Sequence, residues 1–246
     1  MGSPGRAAVA WGRAVIIAID GPVASGKSAV GKRLADQLGS LFFDTGLLYR
    51  AVTYLALREF GSVDDTVAVS TLAVRVHFEV LPPTLEDGRD CTVLADREDI
   101  TLELRRPEVE NNVSPVSAIP EVRRVLTAHM RRVGLRGQVV MVGRDVGTVI
   151  LPEADLKIFL TASVETRARR RFEEMKARGE VRTYDEILAN LRERDRIDAT
   201  RTTAPLRPAS DAIRLDTTDL DLESVVTLIE ELIATYARRE TTDARR

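Results

Sequence analysis

Short apolar, β-branched runs recur at residues 14–19, 41–43, 139–142, 156–160 and 212–215. Their length and unbroken apolar character predict strands buried on both faces. Most are followed by helical periodicity. Residues 28–38 run up to Gly39, residues 47–59 stop before Gly61, and residues 222–236 place Val225, Leu228, Ile229, Leu232 and Ile233 on one face. Strands alternating with helices in this way predict right-handed crossovers and a parallel sheet of five strands between two helical layers.

Between Gly61 and Gly137 the rhythm changes. Val74, Val76, Phe78 and Val80 alternate with other residues, Glu86-Asp87-Gly88 reads as a hairpin turn, and residues 92–95 supply a return strand. A helix over 120–133 follows, with Pro120 in its first turn. This stretch reads as an α+β insert of about 61–133 in a single domain spanning 1–246. There is no internal repeat and no low-complexity linker.

Composition narrows the picture. With 44% hydrophobic and 30% charged residues the chain is expected to be a soluble globular protein, and no run approaches the roughly 18 apolar residues a bilayer requires. A formal charge of -2 gives no whole-molecule attraction to nucleic acid or to an anionic membrane, so neither is expected as a partner. The single cysteine, Cys91, allows no internal disulfide or cysteine-built zinc site and suits a reducing, cytoplasmic setting. Residues 1–13 carry Arg6 and an apolar patch from Ala7 to Trp11 too short for a secretory leader, and read as an extension without assigned role. Only Lys27, Lys32, Lys157 and Lys176 of the 36 basic residues are lysines, so an isolated arginine is weak evidence of a phosphate site.

Gly21-Pro22-Val23-Ala24-Ser25-Gly26-Lys27-Ser28 has the spacing GxxxxGK[ST] between an apolar strand and an amphipathic helix, with Ala29 next in line. Backbone N–H groups of such a loop wrap phosphate oxygens at a helix N-terminus, where unpaired amides and the dipole favour an anion. Lys27 is expected to reach the β- and γ-phosphates, and the Ser28 hydroxyl to ligate Mg²⁺ accompanying ATP. The loop leaves the acceptor open.

Four further segments carry candidate chemistry. Asp44-Thr45-Gly46-Leu47-Leu48-Tyr49-Arg50 puts Arg50 one turn into a helix at the sheet's carboxyl edge, as a phosphate anchor or as an ordinary helix residue. Gly143-Arg144-Asp145-Val146-Gly147-Thr148 delivers an Arg and an Asp to a strand end, either as ligand contacts or as a pair closing the strand. Arg167, Arg170 and Arg171 share one helix face, which either converges on transferring phosphates or is solvated. Arg194, Asp198 and Arg201 fall at i, i+4 and i+7, as an ion-pair ladder or as a hydroxyl-accepting Asp held by neighbours. His77 and His129 lack an acid or nucleophile in motif and read as structural. A phosphomonoester acceptor needs no base, because its second pKa near 6 leaves it mostly anionic at about pH 7.

In order and context these segments, from about Val15 to the C-terminal helix, resemble the bacterial cytidylate kinases. The carriers are Ile17-Ala18-Ile19-Asp20-Gly21-Pro22, the Asp44 and Gly143 segments, and Lys157-Ile158-Phe159-Leu160-Thr161-Ala162-Ser163 running into Glu165-Thr166-Arg167-Ala168-Arg169-Arg170-Arg171. The resemblance implies a P-loop NTPase fold and phosphoryl transfer from ATP-Mg²⁺ to CMP or dCMP. It implies that Arg50 and Arg144 hold the CMP phosphate with Thr45 and Tyr49 nearby, and that Ser114 and Arg123 recognise cytosine with Asp145. It further implies that Arg194 and Asp198 contact the ribose beside Arg201, and that Arg167, Arg170 and Arg171 belong to a short helical lid of about 165–181. The core is then 14–60, 134–164 and 182–246, and a monomer is expected. One departure stands out: the residue before Gly143, commonly acidic in that family, is Val142, which removes any contact such a carboxylate makes to a sugar hydroxyl or a neighbouring arginine. The competing readings are a P-loop kinase for UMP or shikimate, a nucleotide-hydrolysing switch, and a catalytically dead binding module. None of the four lysines lies in the Asn-Lys-x-Asp motif of guanine switches, and intact Lys27 and Ser28 argue against a dead module.

Overall fold

The structure, a computed structural model, describes residues 15–177, 179–201 and 203–243, with side chains as far as Tyr236. The expected extension 1–13, and Ala14 at the head of the first expected strand, lie outside the described residues. The chain opens with β1 (Ile16–Asp20), α1 (Lys27–Leu38), β2 (Leu41–Asp44) and α2 (Gly46–Phe60). Gly39 and Gly61 end the two helices at φ 60° and 74°, a backbone region that suits glycine. The insert follows as α3 (Thr66–Arg75), β3 (Phe78–Leu81), β4 (Thr92–Ala95), β5 (Glu98–Asp99), α4 (Pro107–Ala118) and α5 (Pro120–Gly134). The chain then returns through β6 (Val139–Gly143), β7 (Leu156–Thr161), α6 (Val164–Ala177), α7 (Tyr184–Thr200), β8 (Ile213–Asp216) and α8 (Leu222–Asp243).

The five expected strands form one parallel sheet in the order β2-β6-β1-β7-β8, so all five carboxyl ends share one edge. Register sets Asp20 beside Gly143 and Asp44 beside Val142 at that edge. The period of two along each strand splits the core into two faces. On one, Ile17, Ile19, Val140, Val142 and Ile158 pack under Val30 and Leu34 of α1 and Val225, Ile229 and Ile233 of α8. On the other, Ala18, Phe43 and Met141 join Leu48 and Val52 of α2 and the insert's Val69, Leu72, Val93, Val116 and Leu126 in one continuous cluster. The insert therefore shares the core of the sheet.

Three expectations are corrected. Val74 does not begin a strand: it is exposed near the end of α3, which buries Val69, Leu72 and Ala73 instead. The helix is set by Asp65, whose carboxylate accepts from the N–H groups of Val67 and Ala68. The Glu86-Asp87-Gly88 turn lies within a broader loop between β3 and β4, where Asp87 grips the buried Arg89, and a third strand, β5, completes the small antiparallel sheet. Leu228 faces outward from α8, its place in the core taken by Val226. Beyond the sheet, α6 and α7 pack through Ala168, Met175, Ile187 and Leu191 in a core of their own that also receives Val23 of the phosphate loop. No helix among the described residues is long and apolar enough to cross a membrane.

Candidate active site

The loop between β1 and α1 is held by backbone geometry. Gly21 has φ 153°, and a Cβ there would stand 2.0 Å from the Leu160 carbonyl oxygen of β7, so β7 closes one side of the loop at a spacing only glycine permits. Ala24 and Gly26 take φ 60° and 92°, and Gly26 heads α1. Pro22 and Ser25 are buried, Val23 leans on the α6–α7 core, and Ser28 and Ala29 face outward. Lys27 folds over the loop and donates to the Pro22 carbonyl at 2.6 Å. Burial first, and then the charge of Arg144, lower the Lys27 pKa to about 7, against the opposing pull of Asp44, Asp20 and Asp198. The Ser28 hydroxyl donates to Asp44 Oδ2 at 3.0 Å, while Asp44 Oδ1 takes the Gly46 N–H at 2.9 Å. Asp20, buried at the end of β1, accepts the N–H groups of Val146 and Gly147 at 2.8 and 2.7 Å, and burial lifts its pKa to about 6.

A second polar cluster lines the same edge beyond β6. Arg123 of α5 and Asp145 form a buried pair, Arg123 also donates to the Ser117 carbonyl at 3.1 Å, and its guanidinium lies 5.4 Å from the centre of the Tyr49 ring. Arg144 Nε stands 2.6 Å from Asp198 Oδ2. Arg201 closes α7, donating to the Ala204 carbonyl at 2.6 Å and lying 3.6 Å from Asp198 and 3.9 Å from Asp145. Asp198 is thus shared between Arg144 and Arg201, so that of the ladder Arg194–Asp198–Arg201 the Asp198–Arg201 contact is present and the Arg194–Asp198 one is not. Arg194 has no ion pair within 4 Å among the described residues, and burial, then Arg144, lower its pKa to about 10. Burial likewise raises the Tyr49 hydroxyl to about 12.

Two buried donors here, Tyr49 Oη and Arg123 Nε, have neither a hydrogen-bond partner nor an ion-pair contact in the protein among the described residues. Unspent buried donors are costly unless a ligand completes them. Arg50 reaches inward from α2 with one long contact, 3.5 Å, to the Leu104 carbonyl. Thr45 is buried, bonded to the Val142 carbonyl at 3.1 Å, and Ser114 lies exposed on α4.

The arginines of α6 do not converge on one point. Arg167 is buried, donating to the Ala162 and Val23 carbonyls and making a two-pronged pair with Asp195 of α7 at 3.0 and 2.5 Å. Arg170 is bound to Thr217 and to the Leu220 carbonyl in the segment joining β8 to α8. Arg171 pairs with Glu110 of the insert and, at 2.9 Å, with Glu174. Helical spacing puts the three on one side, but each side chain has a different neighbour within reach.

Compared with known proteins, residues 17–235 match the family model described as cytidylate kinase. The chain belongs to the cytidylate kinase family. Curated cytidylate kinases align along nearly its full length: that of Herpetosiphon aurantiacus is 51% identical over 90% of this chain and 95% of its own. Those of Carboxydothermus hydrogenoformans and Caldanaerobacter subterraneus are each 44% identical, covering 88% and 92% of this chain and 96% and 97% of their own.

Within this family member, two carboxylates at the site had not been singled out from the sequence. Asp20 and Asp44 each end an apolar strand at the sheet's carboxyl edge, and that position was the available signal. Val142 is also clarified. Its side chain is 1% exposed under α1, where a Cβ on Gly31 would come within 2.6 Å of it, so it faces away from the arginine cluster beyond β6.

Proposed function

We propose that this chain transfers the γ-phosphoryl group of ATP to CMP or dCMP, giving ADP and the cytidine diphosphate. The observation that carries the reading is a phosphate loop sharing its sheet edge with a buried cluster of arginines and carboxylates, paired with one another, in which Tyr49 Oη and Arg123 Nε lack a hydrogen-bond partner.

The loop amides and Lys27 take the triphosphate, and Lys27 trades the Pro22 carbonyl for phosphate oxygens. Arg50 and Arg144 take the acceptor's phosphate, with Thr45 and Tyr49 packed around them. Asp145 and Arg123, with Ser114 at the insert's edge, read the base: a carboxylate accepts from the N4 amino group of cytosine, while uracil presents an acceptor there and leaves the site's groups unpaired. Arg194, Asp198 and Arg201 line the sugar. The acceptor phosphate is already an anion, so catalysis reduces to alignment and neutralisation of charge.

Mg²⁺ fits the donor set as a hard cation beside the outward-facing Ser28 hydroxyl and the Asp44 carboxylate. When bound it neutralises charge on the β- and γ-phosphates. Of the lid arginines, Arg167 and Arg170 brace α6 against carbonyls of the loop and of the β8–α8 segment. Arg171, held by carboxylates alone, is the one free to exchange them for the transferring phosphoryl group. Closure of α6 and α7 over the loop excludes water.

A coupled ADP-release assay with ATP-Mg²⁺ and CMP, dCMP, UMP, AMP, shikimate or no acceptor tests the reading. Turnover confined to CMP and dCMP is expected, and their ratio reports the sugar preference. Turnover with UMP or shikimate alone reassigns the acceptor, and hydrolysis indifferent to acceptor makes the chain a switch or ATPase.

A further inference from the structure

Of the carboxylates around the phosphate loop and the strand ends beside it, most are already committed: Asp195 is paired with Arg167, and Asp216 at the end of β8 accepts from Thr218. Asp20 spends both oxygens on the amides of Val146 and Gly147. Asp145 is paired with Arg123, and Asp198 lies between Arg144 and Arg201. The next strand end in register with Asp44 offers no acid, because Val142 stands there, packed in the apolar layer under α1. Asp44 remains: half-buried, without an ion pair within 4 Å among the described residues, and bonded to the loop serine at 3.0 Å. Its other oxygen is anchored by the Gly46 N–H, which fixes the carboxylate at the start of α2.

A serine hydroxyl has one proton and two lone pairs. With the Ser28 proton given to Asp44, both lone pairs are released toward a cation, and the hydrogen bond to an anion makes the oxygen a stronger donor.

We propose that Asp44 is the positioning carboxylate of the Mg²⁺ site, acting through Ser28. The proposal rests on the phosphoryl-transfer reading above. Asp44 orients the hydroxyl, while the loop amides and Lys27 hold the nucleotide independently of it.

The test uses the full chain with ADP and Mn²⁺ as probe, reading bound Mn²⁺ by electron paramagnetic resonance and ADP and CMP affinity by calorimetry. Asp44→Asn keeps an oxygen for the Gly46 N–H but removes the charge. It is expected to weaken Mn²⁺ binding to the ADP complex by about tenfold or more, within the range typical of groups that orient metal ligands. Metal-free ADP affinity and CMP affinity are expected to be unchanged, which a merely structural role would not allow. Adding Asp44→Asn to Ser28→Ala should cost nothing beyond Ser28→Ala alone. Unchanged Mn²⁺ affinity in Asp44→Asn, or losses that simply add in the double variant, would overturn the proposal. Should Asp44→Asn fail to fold, the wild-type chain decides: Mn²⁺ with ADP should broaden the ¹³C signal of the Asp44 carboxylate more strongly than that of Asp20, and equal or weaker broadening removes Asp44 from the role. A wild-type chain that binds no ADP refutes the phosphoryl-transfer reading itself, and this proposal with it.

Discussion

The proposed donor and acceptor sides of the site are built in opposite ways. The donor side is eight consecutive residues, Gly21 to Ser28, whose work is done by backbone amides and by glycines at positions where a Cβ collides or the backbone turns left-handed. The proposed acceptor side is made of charged side chains from α2, α5, the β6 end, α7 and its C-terminus, of which Arg123, Arg144, Asp145, Asp198 and Arg201 are paired with one another across the fold. A backbone site is ready whenever its strand and helix are formed. A site of mutually paired charges is ready only when every contributing element is in place, and a single deletion strands a charge in the interior.

The largest test of this contrast is Lys27→Ala. It removes a charge from the transferring phosphates, so turnover in the coupled assay should fall by about a thousandfold with no loss of thermal stability, since a buried lysine is removed. A variant retaining near-normal rate would break the donor-side assignment. Asp145→Ala, on the acceptor side, should do the reverse in kind: leaving Arg123 buried and unpaired is expected to cost about 3 kcal/mol in a denaturant titration, with loss of discrimination between CMP and UMP. Stability equal to wild type would mean that the Arg123–Asp145 pair is not buried in solution. Arg50→Ala should raise the KM for CMP by about tenfold or more through loss of one charge-assisted phosphate contact, leaving the KM for ATP alone. An unchanged KM for CMP removes Arg50 from the site.

The smallest effect concerns protons. A Lys27 pKa near 7 in the free chain, against its ordinary 10.5, means that the folded state binds fewer protons than the unfolded state between those values. Stability of the ligand-free chain therefore gains from Lys27 as pH rises through that window. Triphosphate binding should restore the charge, so calorimetry at about pH 8 in buffers of different ionisation heat should show uptake of most of one proton, fading toward about pH 6 and absent in Lys27→Ala. Equal heats in all buffers at the higher pH would show that the loop lysine is already charged before nucleotide arrives.

The same contrast explains what was legible in the sequence. The phosphate loop and the five strands were readable because each is a local pattern, a fixed spacing or a continuous apolar run. The helix α3 was not, because Val74 and Val76 continue the alternation of Phe78 and Val80, and only the Asp65 cap and the burial of Val69 and Leu72 separate helix from strand. The spacing of Arg194, Asp198 and Arg201 leaves a ladder and an Asp held by its neighbours equally open, because Asp198 is engaged by Arg144 from the end of β6 as well as by Arg201, a partnership no local spacing encodes. Arg167, Arg170 and Arg171 were read as one face, while their ends are divided among α7, the β8–α8 segment and the insert. For Asp44 the end of an apolar strand is a local signal, whereas its bond to Ser28 and its place beside Val142 are contacts between strands and loop that only the fold supplies.

The continuous cluster that joins the insert to the sheet limits how this enzyme can be re-engineered. Val69, Leu72, Val93, Val116 and Leu126 of the insert meet Phe43, Leu48 and Met141 of the central layers without a seam. Cutting out residues 61–133 as a cassette, to give another P-loop kinase a taste for cytosine, would open two greasy surfaces at once, one on the donor scaffold and one on the graft. On the proposed reading, substrate choice in this scaffold is therefore to be retuned by point replacement around Arg123 and Asp145, with the modular boundary suggested by the linear map left uncut.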